Sequence, residues 1–109
     1  MKSKEAVAAL GSLAQETRLA VFRHLVAAGP DGVPAGLIAE KLKVAAPTLS
    51  FHLKELEHAG LIRATREGRS ISYAADVKAM RALLSYLMDD CCGGRPEICN
   101  LETKGAVCA

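Results

Sequence analysis

Residues 46–59 read APTLSFHLKELEHA, and the fold prediction starts from this segment. Leu49, Leu53 and Leu56 recur at the spacing of one helix face, which predicts a helix with these leucines turned toward the core. Gly60 follows as a helix-ending signal. Because the opposite face is mostly polar, the stretch predicts an amphipathic helix with one face free for contacts.

Three shorter helices are predicted before this one, over residues 5–13, 17–28 and 33–44. Residues 29–32, Gly-Pro-Asp-Gly, form a turn that separates the second helix from the third. Pro34 is acceptable in the first turn of the third helix, where its missing N–H is not needed. The apolar positions at helical spacing are Val7, Leu10 and Leu13, then Leu19, Phe22, Leu25 and Val26, and then Leu37, Ile38 and Leu42.

Two alternating runs, residues 61–66 and 70–75, flank a turn at residues 67–69 and predict a β-hairpin. Asp76 is well placed to cap a last helix over residues 77–90. Four helices, a hairpin and one more helix form a mainly α, winged helix-turn-helix layout. The predicted fold therefore has about five helices and a two-stranded β-hairpin wing.

The composition agrees with one small helical domain, because half of the 109 residues are hydrophobic and none is Trp. No apolar run approaches the roughly 20 residues needed to cross a bilayer. The N-terminus does not resemble a signal peptide, so a cytoplasmic protein is expected. Residues 1–88 carry twelve Lys/Arg against eight Asp/Glu, whereas residues 89–109 carry two against four. The basic excess thus falls on the part with the helices, as a polyanionic partner requires.

In this layout the polar face of the 46–59 helix would meet DNA, because the second helix of the motif enters the major groove. Small hydroxyls, a His and a Lys can contact base edges and phosphates. The alternative interpretation is that these side chains form an ordinary solvated face. The candidate DNA-binding residues are Pro47, Thr48, Ser50, Phe51, His52 and Lys54 on the helix, and Arg66 and Arg69, with Arg63 nearby, on the hairpin.

All four cysteines lie in the last nineteen residues, at Cys91, Cys92, Cys99 and Cys108. Their spacing matches neither a zinc ribbon nor a CxxC redox pair, and a reducing compartment disfavours structural disulfides. The adjacent pair, with a third thiolate looped back, could hold a three-coordinate ion. Soft sulfur donors select soft acceptors, such as trivalent arsenic or antimony. The alternative is that these thiols are incidental or merely oxidisable.

The run LIAEKLKVAAPTLSFHLKELEHAGLIRATREGRSISY, residues 37–73, resembles the ArsR/SmtB family of metal-sensing repressors. Residues 16–22, ETRLAVF, are similar to that family's second helix, and the resemblance extends from residue 5 to about 90. It implies a homodimer built on the first and last helices. The apolar surface of the last helix agrees, unless all of it packs within one subunit. Two residues depart from the family pattern: Ala46 stands where many relatives have Gln, and Pro47 where they have Ser.

Many relatives bind their ion through cysteines of the third helix, and others through His and acidic residues of the last helix. Residues 36–42 contain no Cys and residues 76–90 contain no His, so neither of these sites is expected. The resemblance is instead to the arsenical-resistance type, with a Cys-Cys…Cys site after the last helix. It implies Cys91, Cys92 and Cys99 as ligands, with Cys108 as a spare or a substitute.

The expected function is a homodimeric repressor of an arsenic-resistance operon, bound to double-stranded operator DNA and released by arsenite or antimonite. The alternative signals are an organoarsenical, zinc, cadmium or thiol oxidation. No permanently bound cofactor is expected. The rival classes are a thiol enzyme and a protein-interaction module. Catalysis is not expected, because no activated Cys in a Gly-rich anion loop is evident. Residues 1–90 are predicted as the DNA-binding and dimerisation domain and residues 91–109 as the inducer-binding tail.

Overall fold

The computed structural model describes residues 1–88. The last residues of the predicted final helix and the four cysteines lie outside the described residues. The order of the elements confirms the winged helix-turn-helix fold predicted from the sequence. Within residues 1–88 the elements are α1 (Ser3–Leu13), α2 (Glu16–Ala28), β1 (Val33–Pro34), α3 (Ala35–Leu42), α4 (Ala46–His58), β2 (Ile62–Glu67), β3 (Ser70–Ala75) and α5 (Val77–Met88).

Helix α4 lies at the centre, because it packs against α1, α2, α3 and β2. Leu49, Leu53 and Leu56 are at most 1% exposed, which confirms the predicted buried face. Burial of each leucine contributes about 2 kcal/mol, so this face fixes the position of α4 within the fold. The rest of the core cluster consists of Ala6, Ala9, Val21, Phe22, Leu25, Ile38, Leu61, Ile62, Ala75 and Leu83.

The end of α4 is set by Gly60, as the sequence predicts. Gly60 has a φ of +80°, a left-handed conformation that costs glycine little. Its N–H donates to the Glu57 carbonyl at 2.9 Å, and the N–H of Leu61 donates to the Leu56 carbonyl at 3.1 Å. These two bonds form a Schellman motif, and the chain turns directly into β2.

Strand β1 corrects the prediction that a helix begins at residue 33. Val33 pairs with Tyr73, and Pro34 pairs with Ser72, so the sheet has three antiparallel strands in the order β1-β3-β2. Val33 precedes a proline, whose ring disfavours the helical conformation of the preceding residue. An edge strand, in contrast, tolerates a proline. Helix α3 therefore starts only at Ala35, and it stops early because Lys43 takes a left-handed φ of 57°.

Several large apolar residues that share the predicted helix faces are exposed. In α1 the buried side chains are the small Ala6, Ala9 and Ser12, whereas Val7 and Leu10 are exposed. Small residues let α1 approach the core closely, and this turns the larger ones outward. Leu37 of α3 is also exposed, although it belongs to the predicted apolar face. In α2 the residues of the predicted apolar face that are exposed are Leu19 and Val26.

Helix α5 begins as predicted, because the Asp76 carboxylate accepts a hydrogen bond from the Ala79 N–H at 3.1 Å. The helix packs against α1, and Leu83 is its buried residue. Leu84 and Leu87 lie on the same apolar side but are exposed. Among the described residues, no helix has the length and apolar character that a membrane span requires.

Candidate nucleic-acid interface

The N-terminal half of α4 presents its predicted DNA-binding residues to solvent, apart from His52. Pro47, Thr48, Ser50, Phe51 and Lys54 are all exposed. Proline is accommodated in the first turn of the helix because its missing N–H would have no partner within the helix there. Phe51 is 58% exposed, which is unusual for an aromatic ring of this size.

The acidic residues of α4 lie in its C-terminal half. Glu55 and Glu57 are exposed, one and two turns beyond the residues that carry hydroxyls. Residues 46–54 contain no Asp or Glu and include Lys54. A polyanion is therefore attracted to the N-terminal half of the helix and repelled by the other half.

The wing is a tight hairpin. Glu67 pairs with Ser70, so only Gly68 and Arg69 form the turn, and the prediction that Glu67 belongs to the turn is wrong. Gly68 has a φ of 63°, as a two-residue hairpin turn requires. Arg69 thus stands at the tip of the wing, exposed to solvent.

The pleat of the hairpin separates two arginines that the sequence had grouped together. Arg66 pairs with Ile71 and lies on the same side of the sheet as Tyr73, whereas Arg63 pairs with Ala74 on the other side. Burial raises the pKa of Tyr73, the Glu57 charge raises it further and the Arg66 charge opposes both. Arg63 instead lines a hollow with Asp76, Val77 and Lys78 at the start of α5.

A groove of about 350 Å³ separates the wing from the two helices of the helix-turn-helix. Ser50 lines it from α4 and Arg69 from the wing tip, so the two predicted parts of the DNA interface flank one concave surface. The other lining residues are Pro34, Ala35, Gly36, Ala39, Ala46, Leu49, Leu53, Ser70, Ile71 and Tyr73.

The prediction that His52 lies on the exposed face of α4 is wrong, because its side chain is only 8% exposed. Its side chain lies on the buried side of α4, one turn from Leu49 and Leu56. The Arg18 Nη1 atom lies 3.2 Å from its Nδ1. Because a guanidinium can only donate, Nδ1 accepts this hydrogen bond and the neutral ring carries its proton on Nε2. A contact between His52 and DNA stays a prediction.

Arg18 connects three helices, although no sequence motif points to this residue. Its Nε donates to the Ser12 carbonyl at the end of α1 at 2.7 Å. Its backbone N–H donates to the Gln15 side chain, which caps α2, at 2.8 Å. With the bond to His52, one side chain joins α1 and α2 to the predicted recognition helix. No spacing rule relates residues 18 and 52, so only the fold reveals the pair.

The surroundings of His52 favour its neutral form. Burial lowers the pKa of His52, the positive charge of Arg18 lowers it further, and Glu55 partly opposes both. Among residues 1–88, no group of three or more His, Cys, Asp or Glu side chains could hold a metal ion. The predicted cysteine ligands lie outside the described residues.

Comparison with known proteins identifies similar folds and sequences. Residues 13–65 match the family model described as a helix-turn-helix domain. Reduced HlyU from Vibrio cholerae N16961 is 31% identical, with a TM-score of 0.62, over 80% of this chain and 92% of that one. The transcriptional regulator HlyU from Vibrio vulnificus CMCP6 is 32% identical, with a TM-score of 0.60, over 78% of this chain and 88% of that one.

A third solved structure is 25% identical, with a TM-score of 0.65, over 84% of this chain and 85% of that one. It is the homodimeric winged helix-turn-helix DNA-binding domain of Mb0332 from Mycobacterium bovis, a possible ArsR-family transcriptional regulator. A sequence comparison with curated proteins gives no significant match.

The lowered pKa of His52 predicts a pH dependence of stability. Just below pH 6.5, the ordinary pKa of His, the unfolded state binds more protons than the folded state. The free energy of unfolding should therefore fall as the pH drops through that range, and level off once His52 is protonated in both states. Urea unfolding between pH 8 and pH 5 measures this slope.

The matched variant is His52→Asn, whose amide oxygen can still accept from Arg18 but does not titrate. We expect it to show a shallower loss of stability over the same pH range than the wild type. An identical slope in both proteins would mean that His52 does not titrate differently in the folded and unfolded states.

Proposed function

Because the chain belongs to the ArsR family of winged helix-turn-helix regulators, we propose that it is a homodimeric repressor that binds double-stranded operator DNA. The groove between α4 and the wing carries this proposal, since Ser50 and Arg69 face it from opposite sides. An exposed helix with small polar side chains, flanked by a basic wing, matches the shape and charge of duplex DNA.

In this proposal α4 enters the major groove with its N-terminal half. Thr48 and Ser50 are the hydrogen-bonding side chains there, and their small size lets the helix approach base edges closely. Lys54 lies one turn further along and reaches a phosphate. Arg66 and Arg69 bind the phosphates next to the helix, which positions the protein without reading sequence.

The exposed apolar residues of α1 and α5 support a homodimer. Leu84 and Leu87 of α5 and Val7 and Leu10 of α1 are each at least 36% exposed, on two helices that pack against each other. A second copy of the same surface would bury these side chains from water. Two-fold symmetry would then present two copies of α4 to half-sites about 34 Å apart on the DNA.

The inducer in this proposal is arsenite or antimonite, bound by Cys91, Cys92 and Cys99. The support comes from the sequence: four thiols within nineteen residues, and a tail that continues from α5. Three thiolates suit a soft, pyramidal ion. An ion that ties this tail together would act on α5, and α5 carries part of the proposed dimer surface.

Thiol oxidation is the second candidate signal. One of the similar proteins, HlyU from Vibrio cholerae, is described in its reduced form. Adjacent cysteines such as Cys91 and Cys92 can react through a sulfenic acid or a disulfide with another thiol. Both signals would use the same tail, and they differ in which reagent releases the DNA.

The DNA contacts are tested by removing arginines from the wing. A consensus operator is first selected from random duplexes with the purified full chain. Arg69→Ala should lower operator affinity by about 5- to 30-fold, or roughly 1–2 kcal/mol, and reduce the salt slope of binding by about 1 per subunit. Fluorescence anisotropy at several salt concentrations measures both quantities.

The matched control is Arg63→Ala, which removes the same charge from the other side of the hairpin. We expect it to retain the wild-type salt slope. If no duplex is enriched, the proposal of a DNA-binding repressor is wrong, and if both variants lose the same slope, the groove does not define the interface.

The dimer is tested by Leu87→Glu. A carboxylate buried without a partner between two subunits is costly, so this variant should sediment as a folded monomer while the wild type sediments as a dimer. Leu37→Glu is the control, because it places the same charge on an equally apolar exposed site of α3. A wild-type monomer at tens of micromolar, or a dimer of Leu87→Glu, would contradict the proposed surface.

The inducer is tested on the operator complex under reducing conditions. Arsenite should weaken operator binding by about tenfold or more, which requires a coupling of ~1.4 kcal/mol. Cys92→Ser should abolish this response and Cys108→Ser should retain it. Release of DNA by an oxidant such as diamide, without any response to arsenite, would favour thiol oxidation and exclude the arsenic site.

A further inference from the structure

Phe51 lies at the centre of the exposed face of α4. At 100° per residue, its position is within roughly 20° of the direction opposite to the three buried leucines. Its neighbours on this face, Ser50 and Lys54, are polar, yet the ring is 58% exposed and lies outside the core cluster. Most of its apolar surface is therefore open to solvent and does not contribute to the hydrophobic core.

The ring of Phe51 is supported from one side. It meets the His52 ring edge to face, with 5.6 Å between the centroids and an angle of 63° between the planes. His52 is itself held by Arg18, whose Nη1 lies 3.2 Å from its Nδ1. An exposed side chain normally samples several rotamers, whereas this one rests on a neighbour that is fixed to α1 and α2.

An apolar ring in the major groove has one suitable partner among the four bases. Thymine carries a C5-methyl group there, whereas guanine, adenine and cytosine present only hydrogen-bonding groups and C–H edges. A phenyl ring cannot donate or accept a conventional hydrogen bond, so it gains nothing from those polar groups and desolvates them at a cost. Phe51 therefore favours a position with a methyl group.

From this geometry we infer that Phe51 reads one thymine of each operator half-site through its C5-methyl group, with Arg18 and His52 as positioning residues. The inference rests on the proposed DNA-binding function and adds a base and an atom to it. Thr48 and Ser50, on either side of Phe51, read hydrogen-bonding groups of the neighbouring base pairs.

The test removes the C5-methyl group from the DNA and leaves the protein unchanged. Each thymine of the selected operator is replaced in turn by deoxyuridine, symmetrically in both half-sites, and the dissociation constant is measured by anisotropy. Loss of one buried methyl corresponds to about a fourfold weaker affinity for each half-site. We expect this penalty at one thymine position of the half-site in the wild-type protein.

Phe51→Ala completes a double-mutant cycle between protein and DNA. This variant should bind the thymine operator more weakly than the wild type does. It should bind the deoxyuridine operator as tightly as it binds the thymine operator, so that the penalty disappears. Lys54→Ala is the matched control from the same exposed face, and it should lose affinity while retaining the full penalty. Phe51 is largely exposed, so its removal leaves the core intact, which circular dichroism checks.

The positioning role has its own readout. His52→Asn keeps an acceptor for Arg18 but removes the ring that supports Phe51, so the deoxyuridine penalty should shrink at that thymine position and at no other. A purely structural role for His52 would lower affinity for both operators alike and leave the penalty unchanged, which would overturn the positioning assignment.

The outcomes separate this inference from the proposed function. A protein that enriches no duplex overturns the DNA-binding proposal and the inference with it. A protein that binds its operator but shows no deoxyuridine penalty at any position, or whose Phe51→Ala variant keeps the penalty, is a DNA-binding regulator in which Phe51 reads no thymine methyl.

Discussion

Helix α4 buries Leu49, Leu53 and Leu56 against α1, α2, α3 and β2, and the other features of the protein depend on this contact. A helix held along one face by three enclosed leucines cannot rotate about its axis without exposing them, which would cost several kcal/mol. The direction of the opposite face is therefore fixed as well. The position of every candidate DNA-binding residue on α4 except His52, which is buried, therefore depends on a core that the residue does not itself enter.

The same constraint explains why a polar residue lies on the buried side of α4. His52 falls on the leucine side of the helix, where an unpaired ring nitrogen would be costly. Arg18 supplies the partner, and it also binds the last turn of α1 through the Ser12 carbonyl. Helix α1, which exposes apolar residues suited to a second subunit, is thus linked by hydrogen bonds to the helix proposed to read DNA.

The exposed surface divides into regions of different chemistry. The groove between α4 and the wing combines hydroxyls with arginine, whereas α1 and α5 present aliphatic side chains. A soluble monomer gains nothing from the aliphatic region, but a homodimer would bury it. In the proposed dimer, α1 and α5 would therefore form the contact between subunits, and the groove between α4 and the wing would stay free for DNA.

The helix order, the buried face of α4, the stop at Gly60 and the cap at Asp76 were predictable from the sequence, because each follows from local spacing or a local hydrogen bond. The three-stranded sheet was not predictable in this way: Val33 and Pro34 read as the start of a helix until Tyr73 and Ser72 are known to lie beside them. The candidate site divides in the same manner. Local pattern identified Thr48, Ser50 and Arg69, since exposed polar residues on a periodic helix or at a turn carry their own signal.

The tertiary structure determines where the remaining residues lie. It separated Arg63 from Arg66 through the strand register, and it enclosed His52 beside Arg18, thirty-four residues away in the chain. It also turned Val7 and Leu10 outward by packing Ala6 and Ala9 inward. Which side of a helix faces the core depends on the shape of the neighbouring elements, and residue spacing along one helix does not contain that information.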